Sequence, residues 1–348
     1  MPISRPSRRQ ILDGLAAIGV ALALPRARAW AQEPAANPGR IDVHHHYVSP
    51  RWLAALDKNY QVPGLDTFKQ YSTAASIESL DRAGVTHAVL STTTPGVWFG
   101  DNAEARDLAR DMNDFGAKLV ADHKGRFRLF AVLPLPDVEA SLREIDYAYG
   151  TLKADGISVL SSYGTKWLGD PSFVPVWDEL NRRKAVVFSH ATVADCCKGL
   201  MPNIDPVIIE LNTDTSRTIV SLIENETASR YPDIRFIFSH AGGTIPSLAG
   251  RYLHDQANTD KLNAAAAPNS KLDHLRRFYY HTAGSANPVQ MQSLKMIVSA
   301  SQILYGTDFP WGDPAKIAVG LRGCGFTEAE LRGIDRENVL KLLPQLST

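Results

Sequence analysis

The sequence predicts an α/β fold of the (β/α)8 barrel class, formed by residues 40–348 as a single domain. Three observations lead to this prediction: eight short apolar runs recur along the segment, stretches with helical spacing separate most of them, and polar side chains cluster where the runs end. The runs are continuous rather than alternating, as expected of parallel strands that are covered on both faces. An open, doubly wound sheet is the competing architecture.

The eight apolar runs are rich in Val, Ile, Leu and Phe and have the length of strands. They occupy residues 40–45, 86–92, 127–135, 156–162, 185–190, 234–240, 278–283 and 302–307. Helices are predicted between them at 74–84, 102–123, 171–184 and 215–232, where apolar residues recur three and four apart behind Ser, Asp or Asn. In a barrel of this class the chemistry lies at the carboxyl ends of the strands.

Residues 1–31 resemble a bacterial twin-arginine export signal. Arg8 and Arg9 precede a short apolar run at 15–24, and Ala29-Trp30-Ala31 offers a cleavage site. An uncleaved membrane anchor and a disordered tail are the alternatives, although the run is too short to span a bilayer comfortably. Residues 32–39 are predicted to form a linker. We therefore expect a periplasmic or exported protein, or a cytoplasmic one if the export signal is misread.

The composition limits the kinds of molecule that we expect this chain to bind. Of the 348 residues, 37 are Lys or Arg and 37 are Asp or Glu, so the formal net charge is zero, and there is no long basic or acidic block. Nothing therefore points to nucleic acid as a partner, or to a membrane once the signal is cleaved. Three cysteines, two of them adjacent, imply no disulfide framework.

Five polar residues stand at the ends of the predicted strands. His44 and His46 end the first run and share one face, because alternate side chains of a strand point the same way. His190 ends the fifth run, His240 ends the sixth, and Asp308 follows the eighth. A barrel brings these residues together, and imidazoles with one carboxylate form a metal site that keeps a position open for water. The donors suit Zn²⁺, with Mn²⁺ or Fe²⁺ as alternatives.

This pattern, with the stretches IDVHHHYVSP, STTTPGVWFGD, FSHAGGTIPSLAGR and ILYGTDFPWG, resembles the amidohydrolase superfamily. Within it, the chain is similar to aminocarboxymuconate-semialdehyde decarboxylase and related metal-dependent decarboxylases. The resemblance implies a TIM barrel of the metal-dependent hydrolase type, with His44, His46, His190 and Asp308 as metal ligands. Two-metal members carry a bridging lysine at the end of strand four. That strand has none here, so we expect a single divalent ion.

The resemblance also implies roles beyond the ligand set. His240 is expected to be the general acid and base, and Asp308 to share in proton transfer. Arg251 matches an arginine that in the family reaches a neighbouring active site, which implies a homodimer; a surface charge at a helix end is the alternative. The chain departs from the family at two places. In residues 59–84 the family has arginines that bind the substrate carboxylate, whereas this chain has only Lys69 before the helix. At His281, relatives usually carry an acid.

The leading functional hypothesis is non-oxidative decarboxylation of a small aromatic or unsaturated carboxylic acid. Hydrolysis of a lactone, an amide or an amino-substituted ring would use the same residues and is the alternative. A metal-binding protein without catalysis is a third possibility, against which the intact His240 argues. Trp98 and Trp311, in the loops after strands two and eight, are predicted to wall the substrate pocket, and His281 at the end of strand seven is a further candidate contact.

Overall fold

The computed structural model describes residues 39–59, 65–254 and 265–347. The predicted export signal and all but the last residue of the predicted linker lie outside these residues. Eight parallel strands follow one another round a single sheet, each hydrogen-bonded to its neighbour in chain order. The strands β1 to β8 are Arg40–His46, Val85–Ser91, Phe127–Val132, Gly156–Leu160, Val186–His190, Arg235–Phe238, Tyr279–His281 and Ile303–Leu304. Each lies within or overlaps a predicted run, and the (β/α)8 prediction is confirmed.

Hydrogen bonds between β1 and the chain at and beyond β8 close the sheet. The Val43 N–H donates to the Tyr305 carbonyl at 3.0 Å, and the His46 N–H donates to the Phe309 carbonyl at 3.0 Å. In the opposite direction, the Asp308 N–H donates to the His44 carbonyl at 2.9 Å. An open sheet would leave these groups without strand partners, so the doubly wound alternative is excluded.

Helices cover the outside of the sheet. Several of these helices follow a Ser, Asp, Asn or Thr whose side chain accepts a backbone N–H of the first turn, as at Ser72, Asp101 and Asp137. The α-helices of the described residues, α1 to α14, are Pro50–Asn59, Leu65–Lys69, Thr73–Arg82, Asn102–Asp122, Val138–Tyr147, Val174–Arg182, Glu210–Glu224, Thr227–Arg230, Ile245–Tyr252, Lys271–Arg277, Pro288–Lys295, Pro314–Arg322, Glu328–Arg332 and Asn338–Leu342. Within the described part of the chain, no helix is both long and apolar enough to cross a bilayer.

The barrel interior is filled by apolar side chains that come from different strands and contact one another. Ile41, Val89, Phe130 and Phe188 belong to this group, which is separate from the larger core that lies between the strands and the helices. Phe188 packs edge-on against His44, with the ring centroids 5.2 Å apart. The interior core therefore forms an apolar floor under the histidines at the end of β1.

The carboxyl group of Asp42 joins the first strand to the segment after the last. It is fully buried, and its Oδ1 accepts the N–H groups of His44 and Thr307, both at 3.0 Å. Its Oδ2 accepts the Thr307 hydroxyl at 2.5 Å and bonds His45 Nδ1 at 3.0 Å. Two donors from the first strand and two from the segment after the last strand thus meet on one carboxyl group, immediately behind His44 and Asp308.

We expect Asp42→Ala to lower the free energy of unfolding by about 3–5 kcal/mol, because it leaves four buried donors without an acceptor. Asp42→Asn is the matched control: it keeps the Oδ1 acceptor for the two backbone N–H groups and should cost clearly less. Urea unfolding of the metal-free protein measures both values. Equal stability of wild type and Asp42→Ala would contradict this role for the carboxyl group.

Candidate metal centre

Three histidines and one aspartate meet at the carboxyl ends of the strands. His44 and His46 end β1, His190 ends β5, and Asp308 follows β8. One donor atom from each lies within 4.8 Å of the others. The histidines are buried, and the Asp308 side chain is 22% exposed. The structure therefore brings together the four residues that the sequence predicts as ligands.

Backbone carbonyls fix the orientation of two of these imidazoles. His46 Nδ1–H donates to the Ser91 carbonyl at 3.1 Å, and His190 Nδ1–H donates to the Ala191 carbonyl at 2.6 Å. In the neutral ring this leaves a lone pair and no proton on Nε2. The two Nε2 atoms nevertheless face each other at 3.3 Å. Lone pairs in that arrangement repel unless a cation lies between them, so the donor set fits a metal ion.

His44 is oriented by another histidine. Its Nδ1 is hydrogen-bonded to His281 Nε2 at 2.6 Å, and its Nε2 lies 2.8 Å from His46 Nε2 and 3.0 Å from Asp308 Oδ1. His281 is fully buried and stacks on Phe188 with the ring centroids 5.7 Å apart. His281, which the sequence indicates as a candidate substrate contact, lies behind His44 and is not among the described residues that line the cavity.

The protonation of the cluster favours metal binding. Burial is the main cause that lowers the pKa of His44 to about 4, against the opposing charge of Asp308. Burial likewise holds the pKa values of His190 and His281 well below the usual range of histidine. Burial pushes the pKa of Asp308 up, but the neighbouring imidazoles outweigh it and keep that pKa well below its usual range. At neutral pH His44 and His190 therefore offer neutral imidazoles and Asp308 offers a carboxylate, the forms that bind metals.

His240 stands beside the cluster but is held differently. Its Nδ1–H donates to the Ala283 carbonyl at 2.9 Å, so its Nε2 remains available, and its side chain lines the cavity. His240 and the next three residues all have positive φ. Gly243 is required there, because a Cβ atom would lie 2.0 Å from the Asn212 carbonyl oxygen. The glycines of the HAGG motif thus let this loop pack against α7 with His240 in place.

A cavity of about 390 Å³ opens over the cluster. Its wall includes His190, His240 and Asp308, and the apolar side chains Phe68, Val207, Leu211 and Trp311. The Trp311 ring is 5.7 Å from His46 and 4.6 Å from Phe68, centroid to centroid, so it lies where the sequence predicts a pocket wall.

Two other predicted contacts lie outside this cavity. Trp98 lines an adjoining cavity of about 320 Å³, which shares Pro95 and Val193 with the first. Arg251 is exposed in the last turn of α9 and lines neither cavity. The sequence does not single out Phe68, Val207 or Leu211, because nothing in their local pattern distinguishes a cavity wall from a core or surface position.

Comparisons with known proteins agree with this site. Residues 41–344 match the family described as Amidohydrolase. The chain belongs to the amidohydrolase family. The decarboxylase yanB of Aspergillus niger is 36% identical to this amidohydrolase over 324 residues, covering 88% of each chain. The 6-methylsalicylic acid decarboxylase of Penicillium expansum is 32% identical over 320 residues, covering 88% of this chain and 97% of the relative.

Solved structures share the fold. The crystal structure of a dihydroxybenzoic acid decarboxylase from Polaromonas, with bound manganese and the inhibitor 2-nitroresorcinol, matches with a TM-score of 0.75 at 22% identity. The match covers 89% of this amidohydrolase and 98% of that chain. The relatives confirm the prediction of a carboxy-lyase, and the hydrolase alternative has less support.

We expect His281→Leu to weaken the affinity for a divalent metal about 10–100-fold, because His44 loses the partner that orients its ring. His274→Leu is the matched control: His274 is equally buried but bonds Ser229 Oγ, away from the cluster. Competition with a chromogenic chelator measures both affinities. An unchanged affinity in His281→Leu would show that His44 needs no such partner.

The metal-free protein should lose stability as the pH falls from about 6.5 to 4. The pKa of His44 is lowered to about 4, so the unfolded chain takes up a proton near pH 6.5 and the folded chain does not. Protonation therefore favours unfolding across this window, and His190 and His281 act in the same direction. Thermal unfolding of chelator-treated protein at pH 7.5 and pH 5 should show a lower Tm at pH 5, and a Tm that does not change with pH would contradict the expectation.

Proposed function

We propose that this amidohydrolase decarboxylates a small aromatic carboxylic acid, with one divalent ion held by His44, His46, His190 and Asp308. The observation that carries the proposal is the convergence of these four donors beneath a largely apolar cavity, with His240 at its edge. The names of the relatives support the reaction: one acts on 6-methylsalicylic acid, and a structural neighbour is a dihydroxybenzoic acid decarboxylase. An unsaturated, non-aromatic acid would use the same site.

The donor set narrows the choice of metal. Three imidazoles and one carboxylate suit Zn²⁺, our first candidate, and Mn²⁺ or Fe²⁺ accept the same ligands. Manganese in the structure of the Polaromonas decarboxylase supports Mn²⁺ as the main competitor. When bound, the ion supplies positive charge that orients the substrate oxygens and stabilises negative charge on them.

His240 is the proposed proton donor and acceptor. Because its Nδ1–H is held by the Ala283 carbonyl, the proton that moves is the one on Nε2. Protonated Nε2 gives this proton to the ring carbon that carries the carboxylate. The bond from that carbon to the carboxylate then breaks, its electron pair restores the aromatic ring, and CO₂ leaves. Asp308, which also lines the cavity, is proposed to assist the proton transfer as well as bind the metal.

Further roles are proposed for two tryptophans, for Arg251 and for the N-terminal residues. Trp311 is proposed to pack against the substrate ring, supported by its place in the cavity wall, and Trp98 to contact a larger substrate from the adjoining cavity. We also propose that the protein is a homodimer in which the exposed Arg251 reaches the partner's site, and that residues 1–31 direct export to the periplasm. Both rest on the sequence pattern alone.

The test is release of CO₂ by metal-loaded protein from a panel of hydroxybenzoic acids. We expect His240→Gln to lower kcat about 10²–10⁴-fold, because Gln cannot deliver a proton, while its metal content equals that of wild type. Mass spectrometry measures the metal content as the control. Turnover of lactones or amides without CO₂ release would favour the hydrolase alternative instead.

A further inference from the structure

Two buried serine hydroxyls hold the backbone that follows His190. The His190 carbonyl accepts the Ser161 N–H at 2.8 Å, and the Thr192 N–H donates to Ser161 Oγ at 3.0 Å. The Ala191 N–H, between these two groups, donates to Ser239 Oγ at 3.0 Å. Both serines are fully buried. Because the Ala191 carbonyl accepts the Nδ1–H of His190, these contacts fix the peptide group that orients this candidate ligand.

The two serines differ in the second bond that each hydroxyl makes. Ser161, which follows β4, donates its hydroxyl to the buried carboxylate of Asp214 in α7 at 2.5 Å. Ser239, which follows β6, donates its hydroxyl to the Ser189 carbonyl at 2.6 Å. The Ser239 hydroxyl therefore makes two hydrogen bonds to the end of β5, one to the residue before His190 and one to the residue after it.

Ser239 also immediately precedes His240, the proposed proton donor. The backbone of His240 and Ala241 lies in the left-handed region, with φ of 52° and 57°. Such a backbone is unfavourable for residues other than glycine, so it persists only where the surrounding structure holds it. Ser239 holds the start of this loop through its hydroxyl bonds to β5 and through its carbonyl, which accepts the Gly242 N–H at 3.0 Å. The placement of His240 thus depends on the same serine as that of His190.

We propose that Ser239 is a positioning residue that sets His190 and His240 relative to each other, so that metal binding and proton transfer both depend on its hydroxyl group. The two imidazole centroids are 6.4 Å apart, and the hydroxyl fastens the backbone of one residue to the backbone beside the other. The statement about His190 concerns metal binding alone, and the statement about His240 rests on the proposed function.

The experiment compares Ser239→Ala with variants of two other serines. Ser189→Ala is the matched control: Ser189 is 1% exposed, and its hydroxyl has no hydrogen-bond partner among the described residues. This variant removes the same atom from the neighbouring strand but breaks no hydrogen bond, and it keeps the carbonyl that Ser239 uses. Ser161→Ala breaks the contact to the backbone after His190 from the side of β4, away from the loop of His240.

Two quantities are measured on the full-length protein: the affinity for Zn²⁺, by competition with a chelator, and kcat for CO₂ release at saturating Zn²⁺. We expect Ser239→Ala to lower the affinity about 10–100-fold and kcat about 10–100-fold, because both histidines lose their common support. Ser161→Ala should lower the affinity by a similar factor and kcat clearly less. Ser189→Ala should leave both quantities within about twofold of wild type.

Three results would overturn the proposal. The first is loss of neither quantity, or of only one of them, in Ser239→Ala. The second is an equal loss in Ser189→Ala, because the removed atom and not the hydrogen bonds would then be responsible. The third is a kcat that falls as far in Ser161→Ala as in Ser239→Ala. Should Ser239→Ala fail to fold, Ser239→Cys replaces it: the thiol bonds more weakly, so both quantities should fall at least about threefold, and wild-type values would overturn the proposal.

A signal from His240 that needs no substrate separates the failure of this inference from the failure of the proposed function. Because the Ala283 carbonyl holds Nδ1–H, the ¹⁵N spectrum of zinc-loaded wild type should show one tautomer of His240, assigned with His240→Gln. Ser239→Ala should show both tautomers, and an unchanged signal would overturn the inference. If no acid releases CO₂, the proposed function fails, and the affinity and the tautomer still decide the inference. Wild-type CO₂ release by Ser239→Ala would overturn the inference and leave the decarboxylase intact.

Discussion

The buried carboxyl group of Asp42 is the contact on which the metal centre depends most. It holds the backbone of His44 and of Thr307 on the same oxygen atom, and so fixes the distance between the end of β1 and the segment after β8. These two segments carry three of the four candidate ligands. Closing the barrel and assembling the site are therefore one structural event, since the hydrogen bonds that join the first and last strands also set the spacing of the donors.

Next to the Asp42 carboxyl group, the imidazole of each candidate ligand histidine is oriented through the ring nitrogen that does not face the cluster. Two Nδ1 atoms donate to backbone carbonyls, and the third is hydrogen-bonded to His281. The apolar floor formed by Phe188 beneath His44 and His281 keeps water away from them, and burial keeps the imidazoles neutral. The barrel thus holds the Nε2 lone pairs of these imidazoles close enough to repel one another, and a bound cation relieves that repulsion.

Above the cluster, the cavity wall has a different physical character. Phe68, Leu211 and Trp311 offer apolar surface to a flat ring, while His240 and Asp308 present polar groups to the same cavity. His240 differs from the ligands in that its Nε2 is free of the cluster and its Nδ1 is anchored to the end of the neighbouring strand. The site therefore has two parts with different roles. The buried histidines and Asp308 are the candidate metal ligands, and the cavity above them, with His240, is where the substrate and the transferred proton are proposed to lie.

The sequence by itself determined the eight strands and the histidines and aspartate that end them. Continuous apolar runs and strand-end polar residues are local patterns, and a barrel places all strand ends on one face. Only the tertiary structure decided which neighbours these side chains meet. His281 lies behind His44, Trp98 faces a second cavity while Trp311 faces the first, and Asp42 joins segments 265 residues apart. Such contacts depend on strand length, loop path and barrel closure, which no local pattern in the chain encodes.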